Sequence, residues 1–197
     1  MKLETKLIRL AYDNKQVRPY LLPLIKEARE KQALKIQQFQ KMISLSGTTF
    51  GVLSAYGVGS KSENQNRHAK LVMGLQKRGY RSIVQLKGKW EGVSEKSVIV
   101  PGMKFQDLLE LGREFQQISV IYKSGDGVIG MYYLQKSPPY AEAAVKSEGE
   151  PSFEVSPDKS HWSKGRGISF TFGFLWGQHI PWDGKTPLRK SQLEDLY

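Results

Sequence analysis

The order of apolar segments between residues 49 and 123 constrains this chain most. TFGVLSAYG (49–57) reads as a strand, and residues 62–80 read as a helix with Ala69, Leu71, Val72 and Leu75 on its buried face. Residues 81–90 and 95–102 then read as two strands, 103–115 as a second helix and 117–123 as a strand. Gly79 after the last periodic residue of the first helix is a stop signal, and Lys77 and Arg78 suit the helix C-terminus. The order strand, helix, strand, strand, helix, strand predicts an α+β fold, a two-layer ferredoxin-like βαββαβ sandwich. A Ser-Gly-Asp-Gly turn leads into a hairpin partner at 128–134, which extends this core domain to residues 49–134.

The flanks read as additions. Residues 1–45 form an N-terminal helical extension: Leu3, Leu7, Leu10 and Ala11 share one helical face, Asp13 and Asn14 end it, and Pro19 suits the first turn of the next helix. Residues 135–197 form a C-terminal part packed on the core. Within it, 136–167 is expected to be a long surface loop and 168–176 (ISFTFGFLW) one aromatic strand with Phe170, Phe172 and Phe174 on one face. Those rings cover the open side of the sheet or stack nucleobases, and core packing is favoured because an exposed face of three rings would aggregate. The tail ends in a short helix.

Charge is the second constraint. The net charge is +11, and its positions matter more than its size. Residues 1–41 hold ten Lys/Arg against four Asp/Glu, and residues 60–89 hold eight against one. Such segments suit phosphate backbones or an acidic partner surface. With no cysteine, thiolate chemistry and disulfides are excluded, and three scattered histidines give no zinc-ligand spacing. No metal and no cofactor is expected. No apolar run is long enough to span a membrane, and 3–11 is interrupted by Glu4, Lys6 and Arg9, unlike a secretory signal.

Eight residues form the candidate ligand- or anion-binding cluster: Ser54, Asn64, Arg67, Lys87, Trp90, Glu95, Ser97 and Gln117. Ser54 lies at the exit of the first strand. Asn64 and Arg67 are one turn apart near a helix start, where free N–H groups suit an anion, and Ser62 or Asn64 is expected to cap that helix. Glu95 and Ser97 are two apart on a strand, hence on one face. Arg67 either pairs with Glu95 or holds a phosphate while Glu95 acts as base. GVGSKSEN (57–64) lacks the G-x-x-x-x-G-K-[ST] spacing of a P-loop, and no histidine stands near Ser54 or Ser97 in sequence to complete a triad.

Two resemblances add to this. The leader, with Arg9-Leu10-Ala11, Asn14, Arg18 and Leu21-Leu22-Pro23-Leu24, resembles a short segment found at the ends of otherwise unrelated tailed-phage proteins. That implies a phage or mobile-element origin and a docking signal within residues 1–43. Residues 50–122 resemble an uncharacterised family of small bacterial and phage proteins. The resemblance rests on Ser54-Ala55, Asn64 with Arg67 and Leu71, Gly79-Tyr80, Gly88 with Trp90, Glu95 with Ser97 and Val98, and Gln117 with Ser119, Val120, Ile121 and Tyr122. It implies positions without a reaction.

Three functions follow as expectations. The first is a non-enzymatic phage accessory protein that associates with a nucleic-acid backbone or packaged DNA. The second is an enzyme or binder of a phosphorylated or nucleotide-like small molecule. The third is a virion component docked to phage structural proteins through residues 1–43. The expected location is the host cytoplasm or the virion.

Overall fold

In a computed structural model, the structure describes residues 3–44, 47–57, 59–90, 93–134, 143–147, 151–153 and 162–191. The chain divides into two units, residues 1–41 and residues 42–197. In the first, α1 (Leu3–Asp13) is followed by α2 (Arg18–Ser44), which runs on past the unit's end. Arg18 closes α1: its guanidinium donates to the carbonyls of Ala11 (2.9 Å) and Tyr12 (2.8 Å), which have no partner further along the helix.

The second unit is built on one antiparallel sheet. Its elements are β1 (Phe50–Ser54), α3 (Lys61–Lys77), β2 (Val84–Trp90), β3 (Val93–Pro101), α4 (Phe105–Glu114), β4 (Ser119–Lys123) and β5 (Ile129–Tyr133), then β6 (Ala143–Ser147), β7 (Trp162–Gly165), β8 (Ile168–Phe170) and β9 (Phe174–Pro181). Among the described residues the sheet has nine strands in the order β8-β7-β2-β3-β1-β4-β5-β6-β9.

The expected two-layer ferredoxin-like sandwich is therefore not what forms. A sheet ending at β2 and β5 would leave rows of open N–H and C=O groups at its edges. Here β7 and β8 take up one edge and β6 and β9 the other. Strands β6 and β7 fall where a long surface loop was expected, and the rest of that stretch lies largely outside the described residues. The expected single strand at 168–176 is two strands, β8 and β9, at opposite edges of the sheet. The expected final helix is described only at Lys190 and Ser191.

That split fixes the curvature. Nine strands laid flat would place β8 and β9 roughly 38 Å apart. Only Thr171–Gly173 join them, and such a link reaches about 14 Å. The sheet must curl into an incomplete barrel. Phe172, in the link, lies 6.0 Å from the ring of Phe50 on the middle strand β1, and Phe170 and Phe174 flank it at 5.5 and 6.0 Å.

Curling buries both faces, which is why β1 and β5 are buried at every position instead of alternating. On the convex face Leu53, Val98, Val100, Val120, Tyr122 and Tyr132 pack with Leu71 and Leu75 of α3 and Leu108, Leu109 and Leu111 of α4. A Cβ built on Gly51 would stand 2.6 Å from Met103 Sδ and 3.0 Å from Leu108, so a glycine lets α4 lie close to β1. The concave face carries the cross-strand row Ile99, Val52, Ile121, Met131 and Val145.

Ser60, not Ser62 or Asn64, caps α3. Its hydroxyl accepts from the N–H of Glu63 (3.2 Å) while the Glu63 carboxylate accepts from the N–H of Ser60 (2.6 Å). Ala69, expected inside, is exposed, and His68 is buried in its place. Gly79 stands at φ +89 just past the helix, where its N–H and that of Tyr80 close the last turn.

Candidate functional site

The concave face holds a cavity of about 420 Å³ at the ends of β1, β3 and β4. Its floor is apolar (Val52, Ile121, Met131), and Phe172 and Phe174 line it from the chain that crosses the sheet. Five of the eight candidate residues line it: Ser54, Arg67, Glu95, Ser97 and Gln117.

Register explains the convergence. Ser54 is paired with Ser97 across β1 and β3, and Ser97 with Leu86 across β3 and β2, so these side chains share the concave face. Glu95 lies two residues before Ser97 and is paired with Gly88, which brings no side chain beside it. Ser54 Oγ donates to the carbonyl of Lys96 (2.8 Å) and accepts from the N–H of Tyr56 (3.0 Å). Its proton is thus committed to a carbonyl.

Arg67 comes from α3, on the convex side, and reaches round the end of β1. Its Nε donates to the carbonyl of Ala55 (2.8 Å) and its Nη2 to that of Phe115. Gln117 Nε2 donates to the carbonyls of Tyr56 (3.0 Å) and Phe115 (3.3 Å). Arg67 and Gln117 therefore tie the exit of β1 to the end of α4 and build the cavity wall.

Glu95 differs from its neighbours. Among the described residues it has no hydrogen-bond or ion-pair partner, and Arg67 does not pair with it. Burial alone pushes its pKa from 4.5 up to about 7, because the charged form has lost water and gained no counter-charge. A carboxyl in that state exchanges its proton near neutrality.

The other three candidates lie elsewhere. Asn64 holds the loop before α3: Oδ1 accepts from the N–H of Gly57 (2.9 Å) and Nδ2 donates to the carbonyls of Gly57 (3.2 Å) and Gly59 (3.3 Å). With the Glu63 carboxylate already at the helix start, an anion has no place there. Lys87 is exposed and is not part of the lining. Trp90 closes β2, and its side chain lies outside the described residues.

Sequence reasoning missed Gln116 and Lys89 in the lining. Gln116 has φ +55 and occupies the position after α4 that Gly79 fills after α3, and its N–H donates to the carbonyl of Arg113 (3.0 Å). A side chain in this left-handed conformation costs roughly 1 kcal/mol relative to glycine. It is a local strain located on the cavity wall.

Among the described residues no group of three or more His, Asp or Glu side chains could hold a metal ion, and no helix is long and apolar enough to cross a membrane. A family model described as "Protein of unknown function (DUF3293)" matches residues 58–120. The matched stretch covers Asn64, Arg67, Lys87, Trp90, Glu95, Ser97 and Gln117, and stops short of Ser54 and of the two phenylalanines. Over that stretch the chain is similar to an uncharacterised family. Comparison with curated proteins gives no match.

Proposed function

We propose that residues 42–197 bind a small nucleotide-like ligand in this cavity, and that the site is a receptor for the ligand more than a catalyst. The observation that carries this is Glu95, a half-buried carboxyl with no partner among the described residues, in a cavity that two aromatic rings also line. Natural chains seldom leave such a group unpaired without a use for it, since it lowers stability at neutral pH. A heteroaromatic ring of the ligand lies against Phe172 and Phe174. Its hydrogen-bonding edge meets Glu95, whose ionised form accepts two N–H groups from an amidine-like edge such as that of guanine. Ser97 adds a hydroxyl on the same face as Glu95. The volume lies in the range usual for small-molecule sites. A receptor is favoured over an enzyme because the Ser54 proton is held by a carbonyl and Arg67 is committed to two carbonyls.

Calorimetric titration with the four nucleoside monophosphates and with inosine monophosphate tests this. Guanosine monophosphate is expected to bind at least tenfold more tightly than inosine monophosphate, which lacks the exocyclic amine, and Glu95→Gln is expected to remove the difference. Absence of binding by all five, or unchanged binding by Glu95→Gln, contradicts the proposal.

A further inference from the structure

A second feature lies on the convex face of the sheet. Lys87 on β2 is directly opposite Lys164 on β7 and directly opposite Lys96 on β3. Residues so paired project to the same side with Cβ atoms about 5 Å apart. Three lysines thus stand in a row across three adjacent strands. Lys87 and Lys164 are exposed, and Lys96 is half-buried.

Like charges directly opposite one another weaken a sheet. Among the described residues none of the three makes an ion pair, so the structure does not relieve that repulsion. Glu95, the one acidic residue on β2, β3 or β7, belongs to the opposite face. One charge of the row acts on a neighbour: burial first, and then Lys96, hold the His68 imidazole below its ordinary pKa.

We propose that this lysine row is a binding site for the sugar-phosphate backbone of a nucleic-acid duplex. The row extends about 10 Å across the strands. A duplex presents one phosphate per 3.4 Å of axis on each strand, so three successive phosphates span about 7 Å of axis, which three long lysine side chains spread over about 10 Å can reach. Lysine acts on phosphate as a point charge without base selectivity. The contact is therefore with the backbone and independent of sequence. It is separate from the cavity, whose lining includes none of the three residues.

The test is fluorescence anisotropy of a labelled 20-base-pair DNA duplex with the full chain, between 50 and 200 mM salt. An RNA duplex of the same sequence and unlabelled polyglutamate are run alongside. Wild type is compared with Lys87→Gln/Lys96→Gln/Lys164→Gln and with Lys31→Gln/Lys35→Gln in the first unit. For the DNA duplex, three phosphate contacts contribute about 2.7 to the slope of log K against log salt. The triple variant is expected to lose about that much slope and at least tenfold in affinity at 50 mM salt, with an unchanged or higher melting temperature because the repulsion is gone. The RNA duplex is expected to show a comparable dependence on the row. Wild type that does not bind duplex, a triple variant with wild-type slope, an equal loss in the Lys31/Lys35 variant, or equal competition by polyglutamate overturns the proposal. The last two results would assign the binding to diffuse charge or to an acidic protein surface.

Discussion

Arg67 and Glu95 line one cavity and do not pair. The guanidinium is held by the carbonyls of Ala55 and Phe115, while the carboxyl has no partner among the described residues. An opposite charge close by would have drawn the Glu95 pKa down; burial without one sends it up to about 7. Two side chains that the sequence alone allowed to cancel each other therefore have different tasks, one building the wall and the other facing the space.

Replacing Glu95 with Gln should stabilise the protein in alkaline solution and not in acid. The folded pKa is raised above the unfolded value, so the native state is favoured below pH 4.5 and loses that advantage as pH rises through 7. The rise corresponds to about 3 kcal/mol at most. Urea denaturation at pH 4 and pH 8.5 should show Glu95→Gln close to wild type at the first and about 1–3 kcal/mol more stable at the second. A variant less stable than wild type at pH 8.5 would mean that the carboxylate has a partner in solution.

Arg67→Lys should be costly although the charge is kept. A single ammonium cannot reach both carbonyls with the geometry of the planar fork. Losing one or both bonds at a half-buried position should cost about 1–3 kcal/mol in chemical denaturation. Stability equal to wild type would show that the bridge between β1 and the end of α4 carries no weight.

Gln116→Gly should raise stability by about 1 kcal/mol, since glycine adopts the left-handed conformation at φ +55 without a Cβ clash. If the Gln116 side chain also touches the ligand, affinity falls while the melting temperature rises. A lower melting temperature would contradict the assignment of strain.

His68 is buried, and neither ring nitrogen has a hydrogen-bond partner among the described residues. An orphaned polar side chain costs about 1 kcal/mol or more, so His68→Leu should stabilise. Its pKa lies below the ordinary value, chiefly through burial, so the unfolded chain takes up the proton first as pH falls and native stability drops with it. The gain from His68→Leu should accordingly be larger at pH 5 than at pH 8. A gain independent of pH would place a proton on the ring in the native state.

What the sequence made legible was local. The order of strands and helices from β1 to β5, and the stop at Gly79, rest on periodicity and cap chemistry that a short window contains. The correct cap of α3 was also present, as Ser60-x-x-Glu63, but Ser62 and Asn64 are equally good capping residues and obscured it. The outer strands were not legible because pairing is non-local. Ala143–Ser147 (AAVKS) and Trp162–Gly165 (WSKG) are short, with little branched or aromatic content, and become strands by completing open edges. The break at Thr171–Gly173 was hidden by the unbroken alternation of Phe170, Phe172 and Phe174, so the curl of the sheet was hidden with it. Of the candidate cluster, Glu95 and Ser97 could be placed on one face from strand period alone, whereas Ser54 joins them only through the register of β1 on β3. That Arg67 would be spent on carbonyls could not be read, since it depends on where the loop after α4 passes.

The central claim is that Glu95 is an unpaired, titratable carboxyl inside the cavity, and its own proton equilibrium tests this most directly. Carbon-13 NMR of the Glu95 side-chain carboxyl, followed from pH 3 to pH 10 and assigned by comparison with Glu95→Gln, should give a midpoint near 7. A midpoint at or below the ordinary 4.5 would show a carboxylate that is solvated or paired, and would contradict the account.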